Sequence, residues 1–169
     1  TLSPSSAASD VYKRQGIGRM SKDGAITILQ GRAVGGTTLI NWTSSFRTPD
    51  PTLEHWAREH EVKGHSPADM APWFEKMEQR LGVAPWMVPP NANNDVIRKG
   101  CEKLGYSWHV IPRNVRGCWN LGYCGMGCPT NAKQSMMVTT IPATLEKGGE
   151  LLYLARAEKL SIKDGKVCL

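Results

Sequence analysis

The spacing of apolar residues predicts four helices in the chain. In the clearest one, apolar side chains recur every three or four positions from Met70 to Leu81. Ser66 is a natural N-cap for it, Pro67 suits the first helical position, and Gly82 is a natural end. The other predicted helices cover Leu53–Glu59 with a cap at Asp50 or Thr52, the stretch from Asn94 to about Gly105, and Thr140–Glu146.

Short apolar runs predict the strands. Ala25–Leu29 is rich in β-branched residues and glycine follows it closely, so we predict a buried strand there. The pair Asp164-Gly165 lies between apolar segments, which predicts a hairpin turn and a returning strand. Further extended segments are predicted at Trp108–Ile111, Met136–Val138, Leu151–Leu154 and Ala157–Ile162.

A glycine-rich segment follows the first predicted strand. Three glycines fall within six positions and two threonines follow them, at Gly31, Gly35, Gly36, Thr37 and Thr38. The threonines are candidate caps for a following helix, and a glycine turn before a helix is suited to binding a phosphate or another electron-rich group. A tight turn that needs glycine for its backbone alone is the alternative. The stretch Thr37–Phe46 is predicted to be either a helix or an extended loop against a cofactor.

Composition excludes several classes of protein. The chain has 169 residues, of which 40% are hydrophobic and 21% charged, as in an ordinary globular protein. Its net charge of +6 is scattered without a basic block, so we expect no nucleic-acid surface. No apolar run is long enough to predict a membrane span. The five cysteines are an odd number and do not predict a disulfide framework, which favours a cytoplasmic location.

Two segments resemble one family of flavoenzymes. GRAVGGTTLIN, followed by Arg47-Thr-Pro49, closely resembles the second flavin-binding signature of the glucose–methanol–choline (GMC) oxidoreductases. The stretch Gly117–Ala143 is similar to the middle of the bacterial, choline-dehydrogenase-like branch of that family. The two segments occur in the family's order, and the resemblance runs from about Asp23 to the C-terminus.

The resemblance implies a fold and a domain organisation. The implied fold class is α/β, with a partial Rossmann-like FAD-binding domain and part of an α+β substrate domain. Residues 16–49 and 117–169 would belong to the FAD-binding domain, and residues 50–116 to the lid or substrate side. Residues 1–15 resemble a translated cloning adaptor, and we predict that they are a non-native head on a central fragment of a longer protein.

The resemblance also implies a cofactor, a substrate class and a set of contacts. FAD would accept hydride at N5 from the carbon of a small-molecule alcohol, while the electron acceptor is not identified. The family's histidine base lies near the C-terminus of a full-length chain, so no residue here is predicted to be catalytic and the fragment alone is predicted to be inactive. The implied FAD contacts are Gly35, Gly36, Thr37, Asn41, Trp42, Thr43, Ser44 and, at the adenine end, Ala157 in place of the family's valine.

The main alternative function is a cysteine-based metal module. Cys118, Cys124 and Cys128 lie close together in the sequence, and three thiolates are candidate ligands for zinc or an iron–sulfur cluster. Their spacing fits neither a paired CxxC zinc pattern nor a ferredoxin run, and a fourth ligand has to come from elsewhere. Packing cysteines are therefore the preferred interpretation. A non-enzymatic interaction domain is a third, weaker hypothesis.

Overall fold

The computed structural model of the chain describes residues 19–155 and 159–168. Within them the structure has four helices and six short strands, and the strands form three separate antiparallel pairs. The helices are α1 (Asp50–His60), α2 (Pro67–Leu81), α3 (Ala92–Leu104) and α4 (Thr140–Leu145). The strands are β1 (Arg19–Met20), β2 (Thr27–Ile28), β3 (Val83–Pro85), β4 (Pro112–Asn114), β5 (Ser161–Lys163) and β6 (Lys166–Cys168).

The predictions for α2, α3 and α4 are confirmed. At the start of α2, the hydroxyl of Ser66 accepts a hydrogen bond from the Asp69 amide, and the Asp69 carboxylate accepts one from the Ser66 amide, which completes a capping box. The side chain of Asn91 caps α3 in a similar way. Gly82 and Gly105 end the two helices in the left-handed conformation expected of C-terminal glycines.

The first helix begins differently from the prediction. The structure confirms a helix over Leu53–Glu59, but its N-cap is Pro49, which makes no side-chain cap hydrogen bond. The expected cap at Asp50 or Thr52 is therefore wrong. Asp50 instead lies in the first turn of α1, where its negative charge is favourable beside the helix N-terminus.

The predicted buried strand at Ala25–Leu29 is wrong in length and in burial. Only Thr27–Ile28 forms a strand, and it pairs with the two residues of β1. The side chains of the run are exposed, and Ile26 is 63% exposed. A β-branched run specifies extended backbone, but burial needs a covering layer, and the described part of the chain does not supply one here.

Three of the remaining predicted strands do not form at the predicted positions. The strand that pairs with β3 is Pro112–Asn114 and not Trp108–Ile111, because its position is set by pairing with a partner distant in sequence. Met136–Val138 forms a turn that leads into α4. Leu151–Leu154 is not a strand, and part of Ala157–Ile162 lies outside the described residues. The Asp164-Gly165 hairpin is confirmed, with both residues at positive φ.

The described residues are a mixed arrangement of helices and antiparallel strand pairs. They contain no parallel pairing of the kind found in a Rossmann-like sheet. Among the residues whose burial is described, the buried apolar side chains are Leu39, Ile40, Leu53 and Ala132. Leu39 and Ile40 pack with Ala33 and Met137. No helix among the described residues is long and apolar enough to cross a membrane. The small core thus lies beside the glycine-rich segment.

Candidate cofactor-binding site

The glycine-rich segment folds into one turn of 3₁₀ helix, Gly36–Leu39. Gly35 precedes it with a φ of 95° and lies against Met137, where an added Cβ would be 3.1 Å from the backbone nitrogen and from the Cβ of that residue. Gly36 has a φ of 58°, and an added Cβ there would meet nothing within 4 Å. Gly35 is therefore the packed side of the turn, whereas Gly36 faces open space.

The two threonines of the turn bind the backbone but do not cap a helix. The hydroxyl of Thr37 accepts a hydrogen bond from the Gly31 amide at 3.1 Å. The hydroxyl of Thr38 donates to the Gly35 carbonyl and accepts from the Met136 amide. The expectation of a threonine cap is wrong, since the N-cap is Gly35 and no side chain caps it. These bonds tie the turn to itself and to the segment before α4.

The stretch Thr37–Phe46, predicted to be a helix or an extended loop, is divided between the two. Its first residues lie in the 3₁₀ turn, and Asn41–Ser45 form an irregular loop. Thr43 is the central residue of that loop. It is 1% exposed and has a φ of 64°, an unusual conformation for a β-branched residue. Its hydroxyl donates to the Trp42 carbonyl, and its amide donates to the side-chain oxygen of Asn41. The backbone bends sharply here and leaves the side chains of Asn41, Trp42 and Ser44 exposed.

Arg113, on β4, holds the bend in place. Its Nε donates to the Thr43 hydroxyl at 2.7 Å, and its Nη2 donates to the Trp42 carbonyl at 2.8 Å. Nη2 also lies 3.2 Å from the sulfur of Cys124. The guanidinium stacks over the ring of Trp86, with 4.4 Å from Cζ to the ring centroid, so its position is fixed on two sides.

Lys133 is a buried cation behind the same loop, and its side chain is 3% exposed. Its Nζ donates to the carbonyls of Leu39 at 2.8 Å, Asn41 at 2.6 Å and Cys124 at 2.6 Å. Burial, aided by the charge of Arg113, lowers the pKa of Lys133 to about 8, against an opposing effect of the Cys124 and Cys128 thiols. Three carbonyl acceptors match the three protons of the ammonium group.

The exposed ring of Trp42 lies against Gly125, in a second 3₁₀ turn formed by Cys124–Met126. A Cβ added at Gly125 would approach Cζ2 of Trp42 to 2.9 Å. The ring therefore needs a glycine at position 125, and the Trp42 side chain is otherwise largely exposed, at 61%. The loop and the cysteine-containing turn are thus in direct contact.

The cysteines of the alternative metal hypothesis are not gathered into a ligand set. No group of three or more histidine, cysteine, aspartate or glutamate side chains suited to hold a metal occurs among the described residues. The sulfur of Cys118 accepts from the Asn120 amide, and that of Cys124 faces Arg113. Burial opposes ionisation of the Cys128 thiol, but hydrogen bonds from Thr130 and nearby backbone amides outweigh it and lower its pKa. No observation in the described part favours the metal module.

Sequence reasoning identified the loop but not the residues that hold it. Arg113 and Lys133 carried no sequence signal, since an isolated cation in a polar stretch is normally exposed. Ala157, the predicted adenine contact, lies outside the described residues. The other predicted contacts, from Gly35 to Ser44, fall within a single continuous segment of the described structure.

Comparison with known protein families gives an independent result. The sequence model of a family described as GMC oxidoreductase matches residues 9–168, which is nearly the whole chain. The chain belongs to the GMC oxidoreductase family. The N-terminal domain of GMC oxidoreductases binds FAD, so FAD is the cofactor of this family. The match includes part of residues 1–15, whose origin stays a prediction.

Curated relatives agree with the family assignment. The chain is 33% identical over 155 residues to long-chain-alcohol oxidase FAO4B of Arabidopsis thaliana, covering 92% of this GMC chain and 21% of the relative. It is 32% identical to long-chain-alcohol oxidase FAO1 of the same plant, covering 86% and 19%. It is 29% identical to the uncharacterized GMC-type oxidoreductase y4nJ of Sinorhizobium fredii, covering 85% and 28%. No solved structure matches the chain.

These comparisons cover only part of each relative and leave one prediction about the family branch without a test. The chain spans 19–28% of the length of these relatives, which are several times longer than the matched region. The choline-dehydrogenase-like branch stays a prediction, because the relatives named above are long-chain-alcohol oxidases and a GMC-type oxidoreductase without an assigned substrate.

Proposed function

We propose that this chain is the central part of an FAD-dependent oxidoreductase that acts on the CH–OH group of an alcohol. When bound, FAD supplies an acceptor at N5 for the hydride of the alcohol carbon. The segment Gly35–Ser44 contributes to the binding of the isoalloxazine end through its backbone and small side chains. We expect the histidine base of the family in a part of the protein outside this chain.

The observation that carries the proposal is the family match over residues 9–168, and the open side of the turn at Gly36 is where the flavin would approach. A flavin ring needs backbone that it can approach closely and few bulky side chains in front of it. Gly36 offers that approach, since the space beside its Cα is empty to 4 Å. The side chains of Thr37, Asn41 and Ser44 are exposed and small or polar, and they supply hydrogen-bonding groups next to the same backbone.

The residues of this chain would bind and orient the cofactor but would not take the substrate's proton. Asn41 presents an amide at the exposed surface of the loop, with its oxygen directed to the Thr43 amide. Trp42 presents an exposed ring on the same segment. Arg113 and Lys133 support the loop from behind through its carbonyls, so that its exposed surface stays in one conformation.

We propose long-chain alcohols as the first substrates to test. Long-chain-alcohol oxidases of Arabidopsis thaliana are 32–33% identical to this chain over 86–92% of its length. Their activity is carried over here as a proposal, because the matched region is about a fifth of each of them. Short-chain alcohols and choline are the comparison substrates, the latter for the predicted branch.

The test is an absorption spectrum and a metal analysis of the full-length protein that contains this chain. We expect a two-banded flavin spectrum that bleaches when an alcohol is added without oxygen, and no stoichiometric metal. A protein without flavin, or one that carries a thiolate-bound metal in its place, would contradict the proposal. We further expect the isolated 169-residue chain to bind FAD poorly, and stoichiometric flavin on that chain would show that the fragment assignment is wrong.

A further inference from the structure

Lys133 connects two segments that are far apart in the chain. Its ammonium group binds the carbonyls of Leu39 and Asn41, which lie over 90 residues earlier, and the carbonyl of Cys124 in the second 3₁₀ turn. Each of the three contacts is 2.8 Å or shorter, and the lysine is almost completely buried. A buried ammonium with all three protons donated has only one orientation that satisfies it.

Arg113 joins the same two segments by a second route. Its Nη2 donates to the Trp42 carbonyl and lies 3.2 Å from the Cys124 sulfur. Consequently three of the four residues from Leu39 to Trp42 have carbonyls bound by a cation, and both cations also contact Cys124. Backbone bonds to the Thr37 carbonyl and a bridge between Ser44 and Arg113 also hold this loop, and the bonds from the two cations add to them.

We propose that Lys133, supported by Arg113, is a positioning residue that clamps the Cys124–Met126 turn to the segment Leu39–Trp42 and thereby sets the conformation in which the loop binds the flavin. The inference deepens the proposed function and rests on it for its flavin part. It also gives the cysteine-containing turn a role, as the rigid support on which the flavin-binding loop is held.

The first experiment compares variants of the full-length protein. Lys133→Met keeps the length of the side chain but removes its donors, whereas Lys133→Arg keeps charge and donors. Lys103→Met, at an exposed position on α3, is the control for loss of a lysine. Leu53→Ala, which shortens a buried side chain of α1, is the control for a general loss of stability. The readouts are the dissociation constant of FAD, the flavin absorption spectrum and the rate of Cys124 alkylation relative to Cys101.

We expect Lys133→Met to weaken FAD binding about tenfold, to shift the flavin spectrum and to speed Cys124 alkylation several-fold, because three buried carbonyls lose their partner. Lys133→Arg should restore part of each effect, and the two controls should leave all three readouts unchanged at a temperature where they are folded. Unchanged FAD binding in Lys133→Met would overturn the inference, and so would an equal effect in Leu53→Ala.

A second experiment uses the wild-type protein and so does not depend on a variant that folds. Hydrogen exchange is measured with and without FAD. If the two segments are clamped into one unit, FAD protects amides in residues 36–43 and in residues 124–128 together. Protection confined to residues 36–43 would overturn the inference. A full-length protein that binds no flavin would overturn the proposed function and the role of Lys133 in flavin binding. In that case the rate of Cys124 alkylation still decides whether Lys133 holds the two segments together.

Discussion

Arg113 donates from Nε to the hydroxyl of Thr43 at 2.7 Å, and Thr43 has a φ of 64°. The left-handed conformation is unfavourable for a β-branched residue and persists where the surroundings fix it. Here the surroundings include the guanidinium, which binds both the side chain of Thr43 and the carbonyl before it, and the Asn114 amide, which donates to the Thr43 carbonyl. A residue on β4 therefore stabilises the bend of a loop 70 residues earlier in the chain.

Replacing this arginine should destabilise the protein. Arg113→Met removes the charged donors to Thr43 and Trp42, and we expect the free energy of unfolding to fall by about 2–3 kcal/mol. Urea unfolding of the full-length protein measures the change. The matched control is Arg58→Met. The guanidinium of Arg58 pairs with the adjacent, exposed Glu59, so this variant should change stability by less than about 0.5 kcal/mol. Equal losses in the two variants would refute the role of Arg113.

Lys133 should make stability depend on pH in the alkaline range. Its pKa is about 8 in the folded protein against an ordinary value of 10.5, so the folded state releases this proton at a lower pH than the unfolded state. Between these pH values the unfolded state binds more protons, and the free energy of unfolding rises with pH by at most about 1.4 kcal/mol per pH unit from this group.

The measurement for this prediction is the difference in unfolding free energy between wild type and Lys133→Met at several pH values from 7 to 10.5. Taking the difference removes the contribution of the titrating groups that do not interact with Lys133. We expect the unfolding free energy of the wild type to rise relative to that of the variant as pH increases above about 8. A difference that stays constant or shrinks over that range would contradict a lowered pKa.

Gly36→Ala tests whether the open side of the turn is occupied by the cofactor. Gly36 and Gly64 both have positive φ, 58° and 70°, and an added Cβ meets nothing within 4 Å at either site. The backbone cost of alanine, about 1–2 kcal/mol, is therefore similar in both variants. We expect only Gly36→Ala to weaken FAD binding, by about tenfold or more, since its methyl group enters the space assigned to the flavin. Equal FAD affinities in the two variants would place the flavin elsewhere.

Gly125→Ala should move the ring of Trp42. The added methyl group would lie 2.9 Å from Cζ2 of that ring, and neither residue can avoid the contact without a shift. We expect a change in tryptophan fluorescence and a loss of stability of about 1 kcal/mol. Gly100→Ala is the matched control within α3, where an added Cβ meets nothing within 4 Å, and it should stabilise the protein by about 0.5–1 kcal/mol. A loss of stability in both variants would refute the contact-based explanation.

The sequence determined the features that depend on neighbouring residues. The capping box of Ser66 and Asp69, the cap at Asn91 and the Asp164-Gly165 turn each form bonds within a few residues, so their residue types specify them. The order of residues in the glycine-rich segment was also sufficient to indicate the GMC oxidoreductases, and the family match confirms it.

Tertiary structure alone decided which residues hold the candidate site. Lys133 and Leu39 are 94 residues apart, and Arg113 and Thr43 are 70 apart, so no local pattern could associate them. The same reason explains the wrong prediction at Ala25–Leu29, where residue type favours a strand but burial depends on whether another part of the chain covers it. Local chemistry specifies turns and caps, whereas the burial of a cation or a strand depends on contacts between distant segments.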